Sequence, residues 1–228
     1  MTILNRTTIR NAQTVDYIDS SANVGHKVLR NTYMLLSMTL LFSALTAGAS
    51  LVLSIPSPGF IITLIGYFGL LFLTTKLRNS AWGIASVFAL TGFMGFTLGP
   101  IIGRYLGMAG GSSVVMGAMA LTGIIFMSLS AYVLISKRDF SFMGGFLMIG
   151  MLVVFVASLG AIFFQIPALS LTISAVMVLL MSGMILFETS NIIRGGETNY
   201  IMATVSLYIT IFNLFTSLLQ LLGFVDKD

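Results

Sequence analysis

Residues 199–223 read NYIMATVSLYITIFNLFTSLLQLLG, an apolar run long enough to cross a bilayer that still carries a regular series of polar and small side chains. Asn199, Ala203, Ser206, Thr210, Asn213, Ser217 and Gln220 recur every three or four residues, so a helix gathers them into one stripe on one face. Lipid offers such a stripe nothing to bond with, whereas neighbouring helices do. This helix is therefore expected at the centre of a bundle with its polar face turned inward. Two readings of the stripe stay open at this level: interhelical hydrogen bonding alone, and a water-lined path.

The rest of the chain supplies the bundle. Of 228 residues, 57% are hydrophobic and 8% charged, with mean hydropathy +1.03, against about 25% charged residues in ordinary globular proteins. Six further apolar segments, at about 32–54, 59–75, 80–102, 113–135, 142–164 and 167–193, each approach the ~20 residues that a helix needs to span a ~30 Å hydrocarbon core. With 199–223 they predict an all-α membrane protein, a seven-transmembrane-helix bundle over residues 31–225. Pro56-Ser57-Pro58-Gly59, Gly110-Gly111, Pro167 and Gly195-Gly196 break the pattern where connections are needed. The short second segment could end in its polar Thr74-Thr75. No segment alternates with the two-residue period of a transmembrane barrel. Residues 1–30 are polar and predict a cytoplasmic tail, mostly disordered, passing into helix near a solvated His26. They lack the basic start, short apolar core and cleavage site of a signal peptide, so the tail is expected to be retained.

Charge sets an expected orientation. With a cytoplasmic N-terminus, that side holds Arg6, Arg10, Lys27, Arg30, Lys76, Arg78, Lys137, Arg138 and Arg194, while the far side holds only Arg104 and Lys227. Nine against two predicts N-terminus in and, after seven spans, C-terminus out. The same dispersal of basic residues argues against nucleic acid as the partner of a chain of net charge +4 and pI near 9.6. Membrane lipid is the implied surroundings. Small residues at helical spacing, Ser43 with Ala47, Ala44 with Gly48 and Gly95 with Gly99, predict close helix packing, and Trp82 an interfacial anchor.

Glu188 is the only acid inside a long apolar run. A carboxylate there costs about 2.5–3.5 kcal/mol on insertion scales, so it calls for a partner or a task. Enzyme chemistry finds few materials. No Cys is present, His26 is the only histidine, and every Asp lies in the tail, a loop or the C-terminus. Those facts exclude zinc hydrolysis, a Ser-His protease in the bundle and an intramembrane aspartyl protease. No cofactor is expected. Glu188, Thr189, Asn191, Thr210 and Asn213 are few and mostly neutral against the six to eight oxygens that calcium takes, so weak, partly hydrated Ca2+ binding is all they allow.

The third span with Gly92, Gly95 and Gly99-Pro100-Ile101, LFETSNII at Leu186–Ile193 and SLYITIFNLFTSLL at Ser206–Leu219 together resemble the Bax inhibitor-1 (transmembrane Bax-inhibitor-motif) family. The likeness covers roughly residues 25–225 and is greatest to the bacterial branch typified by a modulator of the FtsH protease. It implies a seven-helix bundle with the last helix central, in a bacterial inner membrane, and a non-enzymatic regulatory protein that binds a membrane protease complex of FtsH type.

The resemblance also implies an alternative, a pH-sensitive calcium-permeable leak. Channel-like members of the family place two acids on the sixth and seventh helices, sharing a proton and latched by a base near the end of the second. Glu188 matches the first acid, but the second position is Thr210, and Leu77 occupies the latch position between Lys76 and Arg78. Two close carboxylates titrate as a coupled pair, and Thr210 removes that coupling. A structural ion pair of Glu188 with Lys76 or Arg78 is a third reading. A tight turn at Gly195-Gly196 would set Glu188 level with about Ala203–Ser206 and Thr210 roughly 9 Å deeper, so that contact between Glu188 and Thr210 needs a longer connection or a side-chain bridge.

Overall fold

The computed structural model describes residues 2–164 and 167–225, with side chains from residue 25 onward other than those at 162 and 167. The terminal charges invoked above, Arg6, Arg10 and Lys227, lie outside the described side chains. Seven helices form in order: α1 (Thr2–Val52), α2 (Phe60–Leu77), α3 (Trp82–Leu106), α4 (Gly111–Ser136), α5 (Met143–Phe164), α6 (Pro167–Ile193) and α7 (Tyr200–Val225). All seven contain a segment long and apolar enough to cross a membrane, and no strand occurs among the described residues.

The start of α1 corrects the expectation of a disordered tail. Its backbone is helical from Thr2, and the buried face of α1 is already present at Val28, ahead of the expected start at about 32. Val28, Thr32, Leu35, Leu36, Thr39, Ser43, Ala47 and Ser50 are all buried, a three-to-four-residue stripe that already starts inside the segment read as polar. Gly25 anchors its upper end, since a Cβ there would stand 2.5 Å from the Ile193 carbonyl oxygen. The second helix likewise runs past Thr74-Thr75, because each hydroxyl bonds a carbonyl one turn back, Leu70 O and Leu71 O at 2.8 Å.

Packing places α7 at the centre, against α1, α3, α4 and α6. Within its apolar window 56% of residues are buried, against 6% for α2 and 11% for α5. Those two lie at the rim, α2 against α3 and α5 against α6, and carry large exposed apolar side chains such as Phe68, Phe72, Phe146 and Leu152. None of the seven stripe residues of α7 is exposed. Two apolar clusters stack along α7, one around Leu90, Val205 and Leu207, the other around Met181, Ile185, Leu214 and Leu219.

The small residues divide by partner. Gly95 and Gly99 face α1, where a Cβ on Gly95 would collide with the Ser43 backbone and one on Gly99 would lie 2.7 Å from the Ala47 carbonyl oxygen. This α1–α3 seam joins Ser43 and Ala47 to Gly95 and Gly99. Pro100 follows inside α3, which continues to Leu106. Ala44 and Gly48 do not form a seam. They border an apolar groove of about 470 Å³ whose floor includes Phe212 and Phe215 of α7 and whose far wall is α4, and nothing lies within 4 Å of a Cβ placed on Gly48.

Candidate functional site

Four consecutive residues of α6, Glu188 to Asn191, turn by about 100° each and so address different neighbours. Glu188, 6% exposed, faces α7. Thr189 meets Ser130 of α4 at 3.5 Å. Ser190 accepts the Phe140 amide at 3.1 Å from the α4–α5 loop and donates to the Arg138 carbonyl. Asn191 closes the α6–α7 turn through its carbonyl, which accepts the amide of Gly196 at 2.9 Å. The loop below is fixed further by Arg194, which donates to the Lys137 carbonyl at 2.9 Å and pairs with Asp139 at 3.5 Å. Hydrogen bonds from the Ser141 hydroxyl and amide, then the Arg194 charge, hold the Asp139 carboxyl below its ordinary range.

Glu188 is bonded by hydroxyls. Ser206 donates to Oε1, and Thr210 Oγ1 lies 3.2 Å from Oε1 and 3.1 Å from Oε2. The contact with Thr210 is the one that a longer connection was expected to allow. The connection from Arg194 to Asn199 is six residues rather than a tight two-residue turn, and side chains lean toward the N-terminus of their own helix. In this antiparallel pair Glu188 therefore leans deeper while Thr210 leans back toward it. Hydrogen bonds to a charged group contribute about 1.5–3 kcal/mol each, which offsets part of the several kcal/mol that burying an ion costs.

The other expected site residues stand apart. Lys76 and Arg78 are exposed, and the one ion pair among the described residues is Arg194–Asp139. Asn213, half-buried, donates to the Ile209 carbonyl of its own helix at 2.8 Å. Thr189 turns to Ser130 and Asn213 to its own helix, so of the oxygens weighed for calcium it is Thr210 that bonds Glu188.

Two residues that sequence reading passed over tie α7 in place. Tyr208, 1% exposed, donates to the Thr91 carbonyl of α3 at 3.2 Å and accepts from Ser43 of α1 at 2.5 Å. Its signal was a phenol inside an apolar span, which must find a partner. Asn199, noted only as a stripe member, caps α7. Its Oδ1 accepts from the Ile201 and Met202 amides at 3.0 and 3.1 Å, and its Nδ2 donates to Arg78 O and Asn79 Oδ1 at 3.1 and 2.8 Å. At the other end of the stripe, Gln220 joins Ser170 and Ser174 of α6.

A bundle wrapped around one polar-striped helix, with a carboxylate from the preceding helix bonded to that stripe and apolar residues outward, defines a multi-pass integral membrane protein. Residues 25–227 match the family described as Bax1-I, inhibitor of apoptosis-promoting Bax1, and the chain belongs to that family. It is 58% identical over 203 residues, 89% of this chain and 92% of the relative, to the modulator of FtsH protease YccA of Escherichia coli K12. The E. coli O6:H1 protein, named inner membrane protein YccA, matches at the same identity and coverage. An uncharacterised Pseudomonas aeruginosa protein is 56% identical over 201 residues, 88% of this chain and 90% of the relative. The chain is a multi-pass protein of the inner membrane.

Proposed function

We propose that this protein is a non-enzymatic regulator that binds a membrane-anchored protease complex of FtsH type and modulates its activity. The observation that carries this reading is the 58% identity, over 89% of the chain, to a relative named as a modulator of that protease. The excess of basic residues on one side supports a cytoplasmic N-terminus and an external C-terminus. In that orientation the segment of α1 before Gly25 projects toward the cytoplasm, where an ATP-driven protease can grip it. Affinity purification of the full chain from native membranes is expected to recover the protease, and removal of residues 1–25 to reduce both recovery and turnover of the chain. Absence of the protease from the full-chain eluate would overturn the reading. Unchanged recovery and turnover after truncation would overturn only the role of the N-terminal segment.

A second reading is a calcium-permeable leak controlled by Glu188. It is supported by a buried carboxylate between α6 and α7 whose partners are hydroxyls rather than a basic side chain. Calcium would be a weakly held permeant ion in this reading. Calcium flux into liposomes that is the same for wild type and Glu188→Gln at every pH would remove the carboxylate from any such role.

A further inference from the structure

Toward the N-terminal end of the membrane-length part of α1, its edge with α4 is open. A cavity of about 410 Å³ lies between Arg30, Tyr33 and Met34 on α1 and Leu134 on α4, with His26 at its rim. It has a direction. From Arg30 to Ser37, about 10 Å along the helix, the lining passes from a guanidinium through a phenol to apolar side chains and one hydroxyl. The Tyr33 hydroxyl is buried and has no hydrogen-bond partner. The Tyr33 ring also meets Phe126 of α4 edge-on, centroids 5.9 Å apart.

Among the described side chains, charge at the rim is one-sided. Arg30 and Lys27 are exposed on α1, and Lys137 and Arg138 follow Leu134 within a turn at the end of α4. The three acids whose side chains are described are engaged elsewhere: Asp139 with Arg194 and Ser141, Glu188 with Ser206 and Thr210, Glu197 with the Asn199 amide. A basic rim above an apolar slot at a membrane surface is complementary to one kind of molecule, an anion that carries hydrocarbon. Guanidinium groups match phosphate oxygens in pairs, and basic residues at this level attract anionic lipid.

We propose that this cavity binds an anionic phospholipid from the leaflet on the N-terminal side. Its phosphate sits against Arg30, and an acyl chain lies along the Tyr33 ring, Met34 and Leu134. A free phosphate would leave the apolar wall uncovered, and a zwitterionic lipid would bring a second positive charge to a basic rim.

Native mass spectrometry of the detergent-solubilised full chain, titrated with phosphatidylglycerol, phosphatidylcholine or tail-less glycerol phosphate, tests this. One phosphatidylglycerol is expected to remain bound at concentrations where the other two do not. Arg30→Gln is expected to weaken its retention about fivefold, the effect of one basic residue near a charged surface. Leu134→Trp, which fills the slot, is expected to abolish retention while thermal unfolding without lipid shows the variant folded. Arg78→Gln, an exposed base at the α2 end, is the control and should change nothing. Equal retention of phosphatidylglycerol and phosphatidylcholine, retention of glycerol phosphate, an Arg78→Gln loss equal to that of Arg30→Gln, or retention by folded Leu134→Trp would each overturn the proposal.

Discussion

Glu188 and Thr210 belong to different helices and different depths, yet the Thr210 hydroxyl bridges both oxygens of the Glu188 carboxylate at 3.2 and 3.1 Å. With the bond from Ser206, it couples the last two spans where α6 carries its one acid. Thr210→Val should therefore destabilise the protein by about 1–3 kcal/mol, the cost of leaving a buried polar group short of a partner. In a double-mutant cycle with Glu188→Gln, read by unfolding in detergent, the two changes should couple by at least ~0.5 kcal/mol. Additive effects would mean that the contact contributes nothing.

The α1–α3 seam predicts a contrast between two glycines. At Gly99 a side chain would run into the Ala47 carbonyl and the Ser50 side chain, both 2.7 Å from the Cβ position, so Gly99→Val should cost about 1–3 kcal/mol or more. Gly48 looks into the open groove, so Gly48→Ala should be neutral, or stabilising by up to ~1 kcal/mol through helix propensity. Melting temperatures of the two variants in one detergent decide it.

Much of this was legible in the sequence because membrane spans declare themselves by length, and the α7 stripe by period. The central place of α7 followed from the polar and small stripe that runs from Asn199 to Gln220. What escaped was of another kind. The packing of α1 ahead of residue 32 was hidden because Gly25 and Val28 stand among His26, Lys27 and Arg30, and only the neighbouring helices decide that those two face inward. The division of labour among Thr189, Ser190 and Asn191 depended on which helix stood beside each face, and packing decides that. Lys76 and Arg78 seemed eligible partners for Glu188 by chain position, but α2 sits at the rim against α3.

Asn199 does two jobs with two ends of one amide. Asn199→Ala should cost about 1 kcal/mol for the lost cap and also release the α2–α3 loop. Asn199→Asp keeps the cap through its carboxylate oxygens but loses the Nδ2 donor to Arg78 and Asn79, so its stability should fall between wild type and Asn199→Ala. Equal unfolding of the two variants would show that the loop contact is without effect.

The α4–α5 loop carries a pH signature. The Asp139 carboxyl is held below the ordinary carboxylate range, so the stability it lends is complete above that range and is lost as pH falls through the lower, folded value. Hydrogen exchange at the Ser141 amide, which donates to Asp139 at 2.9 Å, should gain intrinsic-rate-corrected speed on going from about pH 5 to about pH 3. Asp139→Asn should show little change over the same interval. A wild-type profile as flat as the variant's would remove the assigned role.

The fan of contacts from Glu188 to Asn191 makes this stretch a keyed part whose meaning lies in its count. Deleting one apolar residue just ahead of it would rotate all four teeth by more than a quarter-turn. The carboxylate would then be turned away from Ser206 and Thr210. Substitutions here subtract one bond at a time, whereas a change of length misaligns the whole lock, and rim helices such as α2 and α5 are under no comparable discipline.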